Sequence, residues 1–212
     1  MKNVFAGQDI VKDIDYDVFD LTVSLRSHLA GDVSSFVNCV IDGEIKNAAG
    51  LADSIYEAGY SMYFTRDLNA AKEYCRERYE DCFNKRYGMM TSSKAYDLKR
   101  YGIGPAFRPD VAGWFNADPG NSRSSCALSV AISEFDCQGL EIDMPIIGWG
   151  QDLQWNSKGW KPNADEGTDD YDYRINSYRV LLTRGRDGFI IFVPPGLDNV
   201  AEVFKKAGIK EL

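Results

Sequence analysis

Two arginines, Arg184 and Arg186, flank Gly185 in the run 176–188 (NSYRVLLTRGRDG), directly ahead of the apolar segment 189–193 (FIIFV). A guanidinium keeps its charge at any accessible pH, and its planar fork of N–H donors matches phosphate oxygens two at a time. Placed where a helix gives way to a strand, such groups suit phosphate binding. The plainer alternative is that they complement the negative end of a helix dipole, worth roughly 0.3–1 kcal/mol each. A second block, EFDCQGLEID (134–143), joins a polar side chain to a backbone turn at Gln138 and Gly139. It sets Glu141 where a carboxylate could accept hydrogen bonds from ribose hydroxyls; the alternative is a capped turn between two core strands. Arg26 closes LTVSLRS (21–27), either as a third phosphate-facing arginine or as a solvated charge at a strand end.

Other chemistries find less support. His28 is the sole histidine, so no histidine-based metal cluster can be built, and a serine or cysteine nucleophile would have one possible base. It reads as structural. The aspartates at 15, 17 and 20, and those at 169, 170 and 172, lack the glycine turn and distal glutamate of a calcium loop, and read as solvated acidic segments. The five cysteines include no C-x-x-C pair, which argues for free thiols in a reducing compartment. Trp149 follows a strand and suits the core. Trp155 and Trp160 lie in a polar segment, where they either anchor a loop or stack on bases. No G-x-x-x-x-G-K-[ST] phosphate loop occurs in the 212 residues.

Hydrophobic residues at 44% and charged residues at 26% describe a globular chain able to bury a core. The net charge of -8 repels nucleic acid at long range, so such binding would need a local basic patch or a basic partner domain. No signal peptide is visible at the N-terminus, and the longest apolar runs are too short to span a bilayer. A soluble, cytoplasmic protein is expected.

These side chains must be positioned by regular elements. After a lead-in over 1–17, alternation with β-branched residues predicts a strand over 18–26. Helical spacing predicts helices over 28–43 and 45–58, the second stopped by Gly59. The segment 60–91 reads as strand (60–64), capped helix (68–79) and strand (86–91). A short helix over 95–101, capped by Ser92 or Ser93, follows. That order predicts a parallel sheet with right-handed crossovers. An ordered insertion is expected over 102–125, strands over 126–132 and 144–149, and an acidic mobile loop over 156–172. A helix (173–183), a central strand (189–193) and a closing helix (200–207) complete one domain over 18–212.

Four phrases, EFDCQGLE (134–141), WGQDL (149–153), YRVLLTRG (178–185) and YGMMTSSKA (87–95), together resemble the second motor domain of superfamily 1 helicases, within the Schlafen-like group. The likeness runs from about residue 20 to the C-terminus. It implies an α/β three-layer RecA-like domain of the P-loop NTPase class, with a mainly parallel sheet of about five to six strands but no phosphate loop of its own. In such helicases two RecA-like domains sandwich ATP, and the second supplies arginines to the γ-phosphate. The resemblance thus implies that Arg184 is the arginine finger and Arg26 a second catalytic arginine. Gln138, Gly139, Glu141 and Arg186 would contact nucleotide, and Ser92, Ser93 and Lys94 nucleic acid. ATP and Mg2+ would be engaged only together with a first motor domain, in the same longer chain or on a separate subunit, with DNA or RNA as the other partner. Gly185 departs from the alanine usual in superfamily 1. The alternatives are a non-catalytic binding module descended from a helicase half, and a small-molecule enzyme using Arg26, Glu141 and Arg184 around a closed pocket.

Overall fold

A computed structural model describes residues 16–157, 159–163 and 170–212, with side chains from 28 onward in the first stretch and from 171 onward in the last. Six strands form one sheet: β1 (Ser61–Thr65), β2 (Tyr87–Thr91), β3 (Ala131–Ser133), β4 (Met144–Gly148), β7 (Gly188–Phe192) and β8 (Lys210–Glu211). Their order is β3-β2-β4-β7-β1-β8, and every pairing is parallel. β5 (Leu153–Asn156) and β6 (Gly159–Pro162) make a separate antiparallel hairpin.

Both faces of the sheet are covered, which is why its central strands are near-continuous apolar runs such as MPIIG and GFIIF. Alternate side chains enter two distinct cores. Met62, Met90, Ile147 and Ile191 meet α1 (Tyr16–Ile41), α2 (Ile45–Glu57), α5 (Asp170–Leu182) and α6 (Asp198–Lys206). Met89, Ile146, Ile190 and Phe192 meet α3 (Leu68–Arg78) and the 3-10 turn Tyr96–Tyr101. The result is the expected three-layer α/β architecture, consistent with a RecA-like fold. Asp67 caps α3 as expected, accepting from the amides of Asn69 and Ala70 at 2.8 and 3.4 Å.

Several boundaries differ from expectation. The segment 18–26 is helix, part of α1, instead of a strand. Its alternation is weaker than the advantage of extending a helix already formed over 28–41, because propagation adds one hydrogen bond per residue fixed. Of the lead-in over 1–17, residues 1–15 lie outside the described residues and the last two belong to α1. The short helix after β2 is 3-10, and its cap is Ala95, without a side-chain bond, instead of Ser92 or Ser93. β3 begins only at Ala131, since residues Ser125–Ala127 form a 3-10 turn and Leu128 takes a positive φ of 53°. The insertion is ordered and contains α4 (Val111–Asn116), anchored by the buried Trp114. The supposed loop over 156–172 contains β6, paired to β5 with Trp155 opposite Trp160. Residues 164–169 lie outside the described residues. β8 had no counterpart in the sequence reading.

Candidate functional site

A parallel sheet has two unlike rims. At the rim where the strands begin, the connection leading into β4 lies beside the hairpin leading from α5 into β7. The Ile142 amide donates to the Arg184 carbonyl at 3.0 Å, the Arg186 amide to Ile142 at 2.9 Å, and the Asp187 amide to Asp143 at 2.9 Å. Two segments distant in sequence are thereby stitched together by backbone hydrogen bonds.

The Arg184 guanidinium is half-buried in this seam. Its Nε donates to the Val180 carbonyl at 3.0 Å, Nη1 to the Leu140 carbonyl at 3.4 Å and Nη2 to Thr183 Oγ1 at 3.2 Å. All three acceptors are neutral, and among the described residues no carboxylate pairs with it. These bonds fix its orientation without neutralising its charge, and among the described residues two of the five guanidinium N–H groups remain for a further acceptor. The Cys137 thiol is pushed up to about 11 by burial, even though the neighbouring Arg184 charge opposes the shift. Arg186 and Glu141 are exposed and pair with each other at 3.4 Å. Such an exposed pair is worth about 0–1 kcal/mol, so a phosphate could displace the carboxylate at little cost. Gln138 and Gly139 are exposed in the same connection, and Gly139 makes a turn at φ 77° that disfavours side chains.

Gly185 has a physical reason. A Cβ there would strike the Gly188 carbonyl, which faces it across the tight hairpin. The alanine usual elsewhere does not fit this backbone.

The same rim carries an ionic tie. Lys85 Nζ bridges Asp143 at 3.0 Å and Asp187 at 2.7 Å, and Tyr79 donates to Asp187 at 3.0 Å. Burial alone would lower the Lys85 ammonium, but its hydrogen bonds to Asp187 and Asp143 and their charges hold its pKa above the usual value.

The opposite rim is held by a buried polar network. Ser92 donates to Asp152 Oδ2 at 2.6 Å, Tyr178 to Asp152 Oδ1 at 2.6 Å, and Arg174 Nη1 to Ser92 Oγ at 2.9 Å. Arg174 also lies 3.5 Å from Asp152, with only 6% and 9% of the two side chains exposed. Glu134 receives the Ser93 amide and hydroxyl at 2.6 and 2.8 Å, and the Ser177 hydroxyl at 2.9 Å. Burial pushes the Asp152 carboxyl up, against the hydrogen bonds of Ser92 and Tyr178 and the Arg174 charge. Trp149 stacks on Tyr178 with centroids 3.9 Å apart, and Trp160 donates to the Val40 carbonyl at 2.7 Å. Trp155 packs edge-on against Trp160. All three rings anchor the interior and its hairpin.

The structure therefore unites Gln138, Gly139, Glu141, Arg184 and Arg186 at one rim. Ser92, Ser93 and Lys94 stand at the other. Ser92 is fully buried, and both serine hydroxyls are engaged internally. Arg26 lies on α1, with its side chain outside the described residues. His28 is an exposed position within α1. A cavity of about 130 Å³ lies elsewhere, lined by Gln154, Trp155 and residues 196–200, and none of the candidate arginines lines it. Arg174, Ser177 and Tyr178 were missed from sequence. The signal was a charged residue followed at helical spacing by Ser177 and Tyr178, on the face α5 turns inward.

The fold and the two rims define a three-layer α/β domain of helicase-related type. The chain belongs to the Schlafen group 3 DNA/RNA helicase domain family, whose model matches residues 6–195. No curated protein and no solved structure matches it. No helix among the described residues is long and apolar enough to cross a membrane.

Proposed function

We propose that this domain is the second RecA-like motor half of an ATP-driven nucleic-acid helicase or translocase. The reading rests chiefly on one observation: Arg184 is held by neutral acceptors, with no carboxylate partner among the described residues, beside Glu141 and Arg186 at one rim of the sheet. A first motor domain, in the same longer chain or on a separate subunit, would hold the triphosphate. Arg184 would then reach the γ-phosphate and stabilise charge spreading over its oxygens in the transition state. Arg26 would supply a second guanidinium, Arg186 would exchange Glu141 for a phosphate oxygen, and Glu141 so released would meet the ribose. Gln138 and Gly139 would line the nucleotide edge. In this reading the first domain would also supply the carboxylates that hold Mg2+. At the other rim, Lys94 and the backbone around Ser92 and Ser93 would face nucleic acid. Five cysteines, described as free thiols, fit a cytoplasmic setting.

The test is complementation. A chain bearing a phosphate loop, encoded beside this one or fused ahead of it, is mixed with this domain and single-stranded nucleic acid, and phosphate release is followed. Turnover should require both components. Brisk hydrolysis by this domain alone would overturn the reading. Silence from every combination would favour a non-catalytic docking module, a role that the intramolecular pairing of Arg186 with Glu141 also permits.

A further inference from the structure

Directly after Lys94 the chain forms a strap over 95–108 (AYDLKRYGIGPAFR). Ala95, Leu98 and Ile103 pin its inner side to the core shared with α3, and the Ala106 amide donates to the Ala131 carbonyl at 3.2 Å beside the edge strand β3. Its outer side is unusual for so acidic a chain. Lys99, Arg100 and Arg108 are exposed, and each stands over an aromatic ring of the same strap. Lys99 lies 5.3 Å from the Tyr96 ring, Arg100 4.9 Å from Tyr101 and Arg108 5.2 Å from Phe107. Phe107 is 87% exposed and Tyr96 56%. The one acid of the strap, Asp97, turns inward: its Oδ1 accepts from the Gln151 amide at 3.2 Å, and its Oδ2 is buried. The outward face is therefore positive against a whole-chain charge of -8. Arg108 also holds a left-handed φ of 50°, a conformation costly for a non-glycine residue and common at binding sites.

We propose that this strap is a stacking platform for single-stranded nucleic acid. Phe83, Phe135 and Tyr173 are also exposed, but in the strap two exposed rings, Tyr96 and Phe107, stand with three cations on one short segment, and unpaired bases gain by stacking on such rings whatever their sequence. The adjoining cations meet the phosphates, and a protein partner matched to the acidic remainder of this surface would find the strap the wrong sign. The site deepens the proposed motor reading by naming where the strand lies. It is independent of nucleotide and of the first domain.

The test uses the 212-residue chain without ATP. Anisotropy of labelled oligo(dT) and oligo(U) of about 15 nucleotides, a length spanning typical single-strand footprints, separates DNA from RNA, with a duplex as control. The wild type should bind single strands more tightly than duplex. Combining Tyr96→Ala with Phe107→Ala should weaken binding roughly 100-fold, about tenfold per ring, while Phe107→Tyr keeps it. Lys99→Ala, Arg100→Ala and Arg108→Ala together should flatten the log–log salt dependence by about two units. Ultraviolet crosslinks should map to 96–108, and equal melting temperatures check folding. Absence of wild-type binding, preference for duplex, or unchanged affinity in both variant sets overturns the proposal. Unchanged affinity with lost association to the first motor domain would make the strap a protein interface, and would also overturn it. Single-strand affinity measured without ATP does not read Arg184, and Arg184→Ala in the complemented motor does not read the strap, so the two readings fail separately.

Discussion

Arg184 Nη1 donates to the carbonyl of Leu140 at 3.4 Å, so the arginine at the end of α5 is aimed by the backbone of the connection that carries Glu141. Neutral acceptors fix the direction of a guanidinium without cancelling its charge, which is the condition for acting on an anion supplied from outside. In a complemented motor, Arg184→Ala should lower turnover roughly 10³-fold or more, the scale of arginine-finger losses. Arg184→Lys should recover little of it, since an ammonium cannot form the same planar fork. Steady-state phosphate release reads both, and near-wild-type rates for either variant would exclude the role.

Arg186→Ala removes only an exposed pair with Glu141. Its effect on stability should stay below about 1 kcal/mol in urea denaturation, while the Michaelis constant for ATP in the complemented motor rises. A large stability loss with unchanged kinetics would make this pair structural.

Removing one partner of the buried Arg174–Asp152 pair is another matter. Arg174→Ala leaves a desolvated carboxylate and should cost about 3–5 kcal/mol, against about 1 kcal/mol for an ordinary lost hydrogen bond. A loss below 1 kcal/mol would show that water reaches the site in solution.

Gly185→Ala should destabilise the domain by about 1–3 kcal/mol, the range for overpacking a tight contact. A variant as stable as wild type would mean that the hairpin before β7 opens easily.

Stability should fall steeply above pH 10. Burial raises the phenol pKa values of Tyr60, Tyr79 and Tyr178 from the ordinary 10.0. For a group whose folded pKa exceeds its unfolded one, the contribution is complete below the unfolded value and drains away as pH climbs through the folded one. Lys85, also raised, adds in the same direction. Phenolate absorbance followed beside circular dichroism checks this. These tyrosines should ionise only as the helices melt, and ionisation within a folded protein would contradict the burial.

The parallel sheet was legible from local patterns, the strand–helix–strand order and the apolar runs of β4 and β7, whereas the pairing of 138–141 with 184–186 was legible only through the resemblance to helicase motifs, since each phrase alone reads equally well as a turn or a helix end. The 18–26 segment misled because alternation is a local signal, whereas a helix spreads from its neighbour. The network of Ser92, Asp152, Arg174 and Tyr178 was invisible because its members belong to three separate segments, and only tertiary packing reveals that their polar atoms satisfy one another. The strap over 95–108 read as a short helix and the start of an ordered insertion, since no sequence pattern shows that Asp97 faces inward and leaves the cations outside.

The connection from β3 to β4 begins at Glu134, locked to Ser93 and Ser177, and reaches the far side of the sheet with the seam between Ile142 and Arg184. A brace so short, pinned at either extremity, leaves little slack for one side of the domain to deform while the other stays put. In the motor proposed above, a push received at one rim would therefore turn the domain as a whole, with the interior travelling as cargo.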